Sequence, residues 1–184
     1  MLPVRPGTRF AHLFWQKPIK TTSADDTVPQ PNRQPIAMEI QMGFRAKLAA
    51  GEFIILAEME PPKGVDTTRM AANARRIKGR VDAFLVPEMS NAVMRMSALG
   101  GALVLRQLGV ETIMQVNCRD RNRIALQADL LAAGAVGVSA VVATTGEDPS
   151  FGDHHEARSV HDIDLPALLN ALQGLKAGRD MAGI

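Results

Sequence analysis

The segment Ile54-Ile55-Leu56-Ala57-Glu58-Met59-Glu60-Pro61-Pro62 sets a carboxylate at the end of an apolar run and then closes the chain with two prolines. Such a run, bounded by turn residues, reads as a parallel strand covered on both faces, and a strand of that kind needs helices packed around it. Chemistry in parallel α/β folds sits at the carboxyl ends of the strands, so Glu58 stands where a proton donor is useful. Glu60 is equally available, and either acid could instead cap a turn or pair with an arginine. With Met59 beside it and the proline corner limiting motion, a half-desolvated Glu58 holds its proton more readily than a free carboxyl, which suits a general acid.

A second group of chemistry-bearing residues runs from Gln115 to Arg123. Strand alternation turns Gln115 and Asn117 to the same side, where neutral donors and acceptors suit a heterocycle such as flavin or pterin. Equally, both amides could be consumed by loop backbone. Arg119, Arg121 and Arg123 open a helix whose dipole disfavours cations there. Their charge needs compensation, preferably from Asp120 and other surface acids, alternatively from an anionic ligand. The string Thr144-Thr145-Gly146-Glu147-Asp148-Pro149 can be a solvated turn. It can also be a place where Gly146 lets backbone approach a flat ligand while Glu147 faces a developing cation. Adjacent His154 and His155 lack a third ligand at metal-binding spacing, so no metal centre is expected. Cys118 reads as a small buried thiol, and the ten methionines as packing residues.

Positioning such residues takes a folded body, and the chain of 184 residues with 46% hydrophobic content has enough for one. Residues 1–37 carry five of the 21 basic residues and two of the 19 acidic ones, so the remainder is balanced at 16 against 17. No lysine-rich face marks a nucleic-acid partner. A single cysteine excludes an internal disulfide and fits a reducing compartment, and no apolar run reaches the roughly 20 residues of a membrane span. A cytoplasmic location follows as the expectation. Six of the eleven prolines fall in residues 1–37, a basic leader expected to lack regular structure; the body is expected at 38–184, with Met38 and Met42 as alternative starts.

After a short helix at Gly43–Ala50, with Phe44 and Leu48 on one face and Gly51 as its stop, four β-rich runs recur: Phe53–Glu58, Ala83–Pro87, Thr112–Asn117 and Val138–Ala143. Helical stretches at Thr67–Lys78, Ser97–Leu108 and Asn122–Ala133 separate them. A last helix spans Pro166–Lys176, with Asp164 as N-cap and Gly178 beyond its end. No Gly-x-Gly-x-x-Gly turn follows the first strand, which argues against an open dinucleotide-binding sheet. The expected fold is therefore α/β: a (β/α) barrel of the TIM type, truncated to about four strand-helix units.

Taken together, Ala57 to Pro62, Gln115 to Leu130 and Thr145 to His154 resemble methylenetetrahydrofolate reductase over about residues 42–178. The resemblance implies a flavin-containing barrel in one-carbon and methionine metabolism. In that family NADH or NADPH delivers hydride to FAD, and methylenetetrahydrofolate is reduced to methyltetrahydrofolate. By the same resemblance Glu58 matches the acid that protonates the folate's bridging nitrogen, and Glu147 matches a position where relatives usually carry aspartate beside the flavin. Gln115 falls near the isoalloxazine, Thr145 and Gly146 match the flavin-contacting turn, and Pro87 stands where some relatives offer a threonine hydroxyl.

A half-barrel leaves two sheet edges unpaired, so homo-oligomerisation or association with a second barrel half is expected. The competing reading is a non-catalytic remnant or subunit that offers a flavin- or folate-binding surface to a larger complex. A Schiff-base lyase is disfavoured, because none of the strands contains lysine.

Overall fold

The structure, a computed structural model, describes residues 43–184. The expected leader, with Met38 and Met42, lies outside the described residues. Helices and strands alternate: α1 (Phe44–Ala50), β1 (Leu56–Glu58), α2 (Thr68–Ile77), β2 (Ala83–Val86), α3 (Ala98–Gln107), β3 (Thr112–Asn117), α4 (Arg123–Ala135), β4 (Ala140–Thr144) and α5 (Leu165–Lys176). The four strands form one parallel sheet in the order β1-β2-β3-β4. Sequential order with a helix after each strand is the arrangement of a (β/α) barrel segment, and a four-strand α/β sheet is what the described residues contain.

Alternation divides the sheet into two faces. Phe84 and Val86 of β2, and Met114 and Val116 of β3, are buried against the helices together with Ala74, Ala102, Leu105, Leu126 and Leu168. Side chains as fully enclosed as Phe84, Leu105 and Leu126 each contribute about 1.5–3 kcal/mol. The opposite face carries Ala83 and Ile113, covered at the lower end by Phe44 of α1. Two polar contacts pin α1 there: Lys47 Nζ meets Asp82 at 2.7 Å, and Arg45 Nε donates to Ser139 O at 2.7 Å. Leu48, expected to share the packed face with Phe44, is 59% exposed, because a helix of seven residues turns only one large side chain to the sheet.

The helices are set by their ends. Asp164 accepts from Ala167 N at 2.8 Å and Asn122 from Ile124 and Ala125 N, so both cap as N-termini should. Gly51, at φ 71°, stops α1 in the left-handed conformation. Within α3, Gly101 is where the helix touches the strand ends: a Cβ there would lie 2.9 Å from both Pro61 and Val86. That absence of a side chain lets α3 press on the Pro61 corner directly after Glu58–Glu60.

One expectation is corrected. β1 is not a long strand covered on both faces; it spans Leu56–Glu58 at the sheet edge, and Ile55 and Leu56 are about half exposed. It pairs with β2 alone, and among the described residues nothing packs over its inner face. For the same reason Glu58 is exposed rather than half-desolvated.

Candidate active site

The sheet register places the predicted residues. Glu58 pairs with Leu85, Leu85 with Ile113, and Ile113 with Ala140. Partners in a parallel pair share a face, so Glu58, Gln115, Asn117 and Thr144 all belong to the face away from the helix layer. The two acids of the first strand end then separate by environment. Glu60 Oε2 meets Arg95 Nη2 at 3.0 Å, and Arg95 also reaches Pro61 O. No hydrogen bond or ion pair engages the Glu58 carboxylate among the described residues. The chain therefore spends Glu60 on structure and leaves Glu58 available.

At the ends of β2, β3 and β4 a cavity of about 170 Å³ is lined by Glu88, Ser90, Gln115, Thr144, Thr145, Gly146 and Glu147. Four predicted residues thus come together: Gln115, Thr145, Gly146 and Glu147. Glu58 and Pro87 do not line it; Pro87 is buried at the end of β2. A larger cavity of about 550 Å³ opens between α4 and residues 178–182. Of its polar groups, Arg123 is engaged with Asp162, Gln127 with Met181 N and Asp180 with the backbone of Ala182 and Ile184. It offers aliphatic contact far more than chemistry, so the strand-end cavity is the candidate site.

The amides predicted to act as a pair have different fates. Gln115 Oε1 accepts from Glu88 N at 2.9 Å, while its Nε2 lies 3.5 Å from Thr144 Oγ1 at the cavity wall. Because a backbone N–H only donates, this contact fixes the amide oxygen inward and leaves the NH2 as a donor. Asn117 is consumed by the loop: its Oδ1 accepts from Arg119 N and Asp120 N, and its Nδ2 reaches Asp120 and Glu88 O.

All three arginines are compensated by acids. Arg119, 3% exposed, grips Asp120 through Nε at 2.7 Å and Nη2 at 2.9 Å and donates to Glu147 O at 3.0 Å. The hydrogen bond to Asp120 raises its already high pKa. For Asp120, burial pushes upward, but the hydrogen bonds from Arg119 and Asn117 prevail and hold the carboxyl below its usual range. Arg121 bridges Glu88 and Asp129, each at 2.9 Å, and Arg123 pairs with Asp162 at 2.8 Å. The preferred reading of a structural network holds.

Arg119 also explains Gly146. With φ at 86°, the residue is left-handed, and a Cβ would fall 2.7 Å from Arg119 Cβ. Glu147, whose side chain is 55% exposed, keeps its carboxylate 3.8 Å from Arg119 Nη1. The loop beyond it is clasped: Asp153 binds Lys63 Nζ at 2.8 Å and Met94 N at 2.9 Å, which joins the loops after β1, β2 and β4. Cys118 is buried, and burial pushes its thiol up.

Sequence reasoning missed Glu88. It is 5% exposed, yet its carboxylate accepts from Ala98 N at 2.7 Å and pairs with Arg121. The signal used for Glu58, an acid at a strand end beside proline, applies to Glu88 as well.

Residues 43–177 match the family described as Methylenetetrahydrofolate reductase. The chain belongs to that family of oxidoreductase-like enzymes. Neither the curated proteins nor the solved structures yield a match.

Proposed function

We propose that this chain contributes the strand-end site of a methylenetetrahydrofolate reductase, in which NADH or NADPH serves as hydride source for reducing methylenetetrahydrofolate to methyltetrahydrofolate. The observation that carries the reading is the division between neighbouring acids: Arg95 binds Glu60, and Glu58 is left unengaged on the face that also carries Gln115 and Thr144. A carboxyl so placed can give a proton to the folate's bridging nitrogen, opening the ring to an iminium cation.

FAD, the cofactor general to the family, supplies hydride transfer when bound. The residues fit one edge of such a ring system. Gln115 offers NH2 donors, and Thr144 and Thr145 offer hydroxyls. Typical small-molecule pockets run to about 300–1,000 Å³, so 170 Å³ accommodates an edge and not a whole dinucleotide. Glu147 places negative charge beside that edge.

The open inner face at Leu56 and Val142, with β1 and β4 each paired on one side only, favours action within an assembly. A second copy or a separate set of four strand-helix units would supply the cover and the desolvation that Glu58 lacks here. The same observation favours the alternative, a non-catalytic subunit presenting a flavin- or folate-binding surface.

The test is an absorbance scan for bound flavin in the purified chain, alone and assembled with a partner half, followed by Glu58→Gln. The variant should stop folate reduction while sparing oxidation of reduced pyridine nucleotide. Equal loss of both activities in a folded protein would refute the proton-donor role.

A further inference from the structure

We infer that Glu88 is a positioning residue that fixes Gln115 as a hydrogen-bond donor, so that the cavity selects a ligand edge bearing acceptors. The inference deepens the functional reading above and rests on it for the identity of the ligand. Glu88 follows directly on Pro87, which has no N–H, so the first main-chain donor after β2 is that of Glu88. That N–H goes to Gln115 Oε1 at 2.9 Å, and the carbonyl of the same residue accepts from Asn117 Nδ2 at 3.4 Å. One peptide segment therefore holds both amides at the end of β3.

The Glu88 side chain in turn fixes that segment. Oε2 accepts from Ala98 N, the first residue of α3, at 2.7 Å, where the helix dipole favours an anion. Oε1 meets Arg121 Nη2 at 2.9 Å, and Arg121 is held from its far side by Asp129 of α4. A carboxylate buried on this scale persists because both oxygens are satisfied by donors. Its removal frees the Glu88 backbone and with it the orientation of the Gln115 amide. Flipped, Gln115 would present an oxygen to the cavity and repel a carbonyl or a ring-nitrogen lone pair that the NH2 now attracts.

The test is a double-mutant cycle in the full chain, read by FAD titration through fluorescence quenching, with circular dichroism confirming the fold. Glu88→Gln places an NH2 against the donors of Ala98 or Arg121 and should weaken FAD binding roughly tenfold or more, the worth of one charge-assisted hydrogen bond. Gln115→Met should do at least as much, and the double variant should be no weaker than Gln115→Met alone, since Glu88 acts through Gln115. Additive losses would overturn the inference. Arg121→Lys, which keeps a cation beside Glu88, should fold and show a smaller loss if Glu88→Gln does not fold. If the unmodified chain binds no FAD either alone or assembled with a partner half, the functional reading fails separately, and the side-chain amide resonances of Gln115 in NMR spectra decide the positioning role. They should move in Glu88→Gln and Arg121→Lys, and unchanged resonances in both would overturn it.

Discussion

Arg119 and Gly146 meet so closely that a single methyl group on Gly146 would lie 2.7 Å from Arg119 Cβ, below any separation that real side-chain carbons show. Arg119 cannot withdraw, because Asp120 and the Glu147 carbonyl hold its guanidinium. Gly146→Ala therefore meets both a left-handed backbone and a fixed neighbour, and should destabilise the fold by about 1–3 kcal/mol. Urea denaturation of the two proteins measures it, and a midpoint unchanged at equal slope would count against this packing.

The glycine was legible in the sequence as a place of close approach, but not what approaches it. Sequence suggested a flat ligand, whereas the structure shows Arg119, 27 residues away, against its α-carbon. Local signals did well where the cause is local. β3 occupies the predicted Thr112–Asn117, and Asp164 caps α5 through its own third neighbour. Non-local causes escaped. The carboxylate partners of Glu88 are Ala98, across the loop after β2, and Arg121, brought to it by the pairing of β2 with β3, and alternation in β1 could not reveal that its inner face would be open. Local sequence left Glu60 as available as Glu58, and only the fold shows that Arg95 engages Glu60.

That difference in partners predicts unequal stability effects for equivalent changes. Glu60→Gln removes a partly exposed ion pair and should cost about 0.2–1 kcal/mol, less at high salt. Glu58→Gln removes no contact and should leave the unfolding midpoint unchanged within about 0.5 kcal/mol. Thermal or urea unfolding of the two variants at low and high salt distinguishes them. A larger loss from Glu58→Gln would mean that its carboxylate has a structural partner.

Cys118 should be inert while the chain is folded. Burial both hides the sulfur and raises its pKa above the ordinary thiol value, so little thiolate forms near neutral pH. Treatment with a chromogenic disulfide reagent should give one thiol equivalent in denaturant and a reaction slower by orders of magnitude without it. Rapid labelling of the native chain would show that the β3 end opens readily.

Asp153 gives the acid limit of the loop clasp. Hydrogen bonds from Lys63 and from the Met94 N–H lower its pKa from 3.8 to about 2. A carboxyl depressed on folding contributes stability that is present above its unfolded pKa and lost as pH falls through the folded one, so this clasp holds at and above about pH 4 and fails toward pH 2. Both partners are solvent-accessible, so the effect is local opening of the loops after β1, β2 and β4 and not global unfolding. Amide exchange at Met94 should therefore accelerate between pH 4 and pH 2, after correction for intrinsic rates, more than exchange within β3. In Asp153→Asn that extra acceleration should vanish, because the substituted amide does not titrate. An acid-dependent opening that survives the substitution would assign the clasp to other groups.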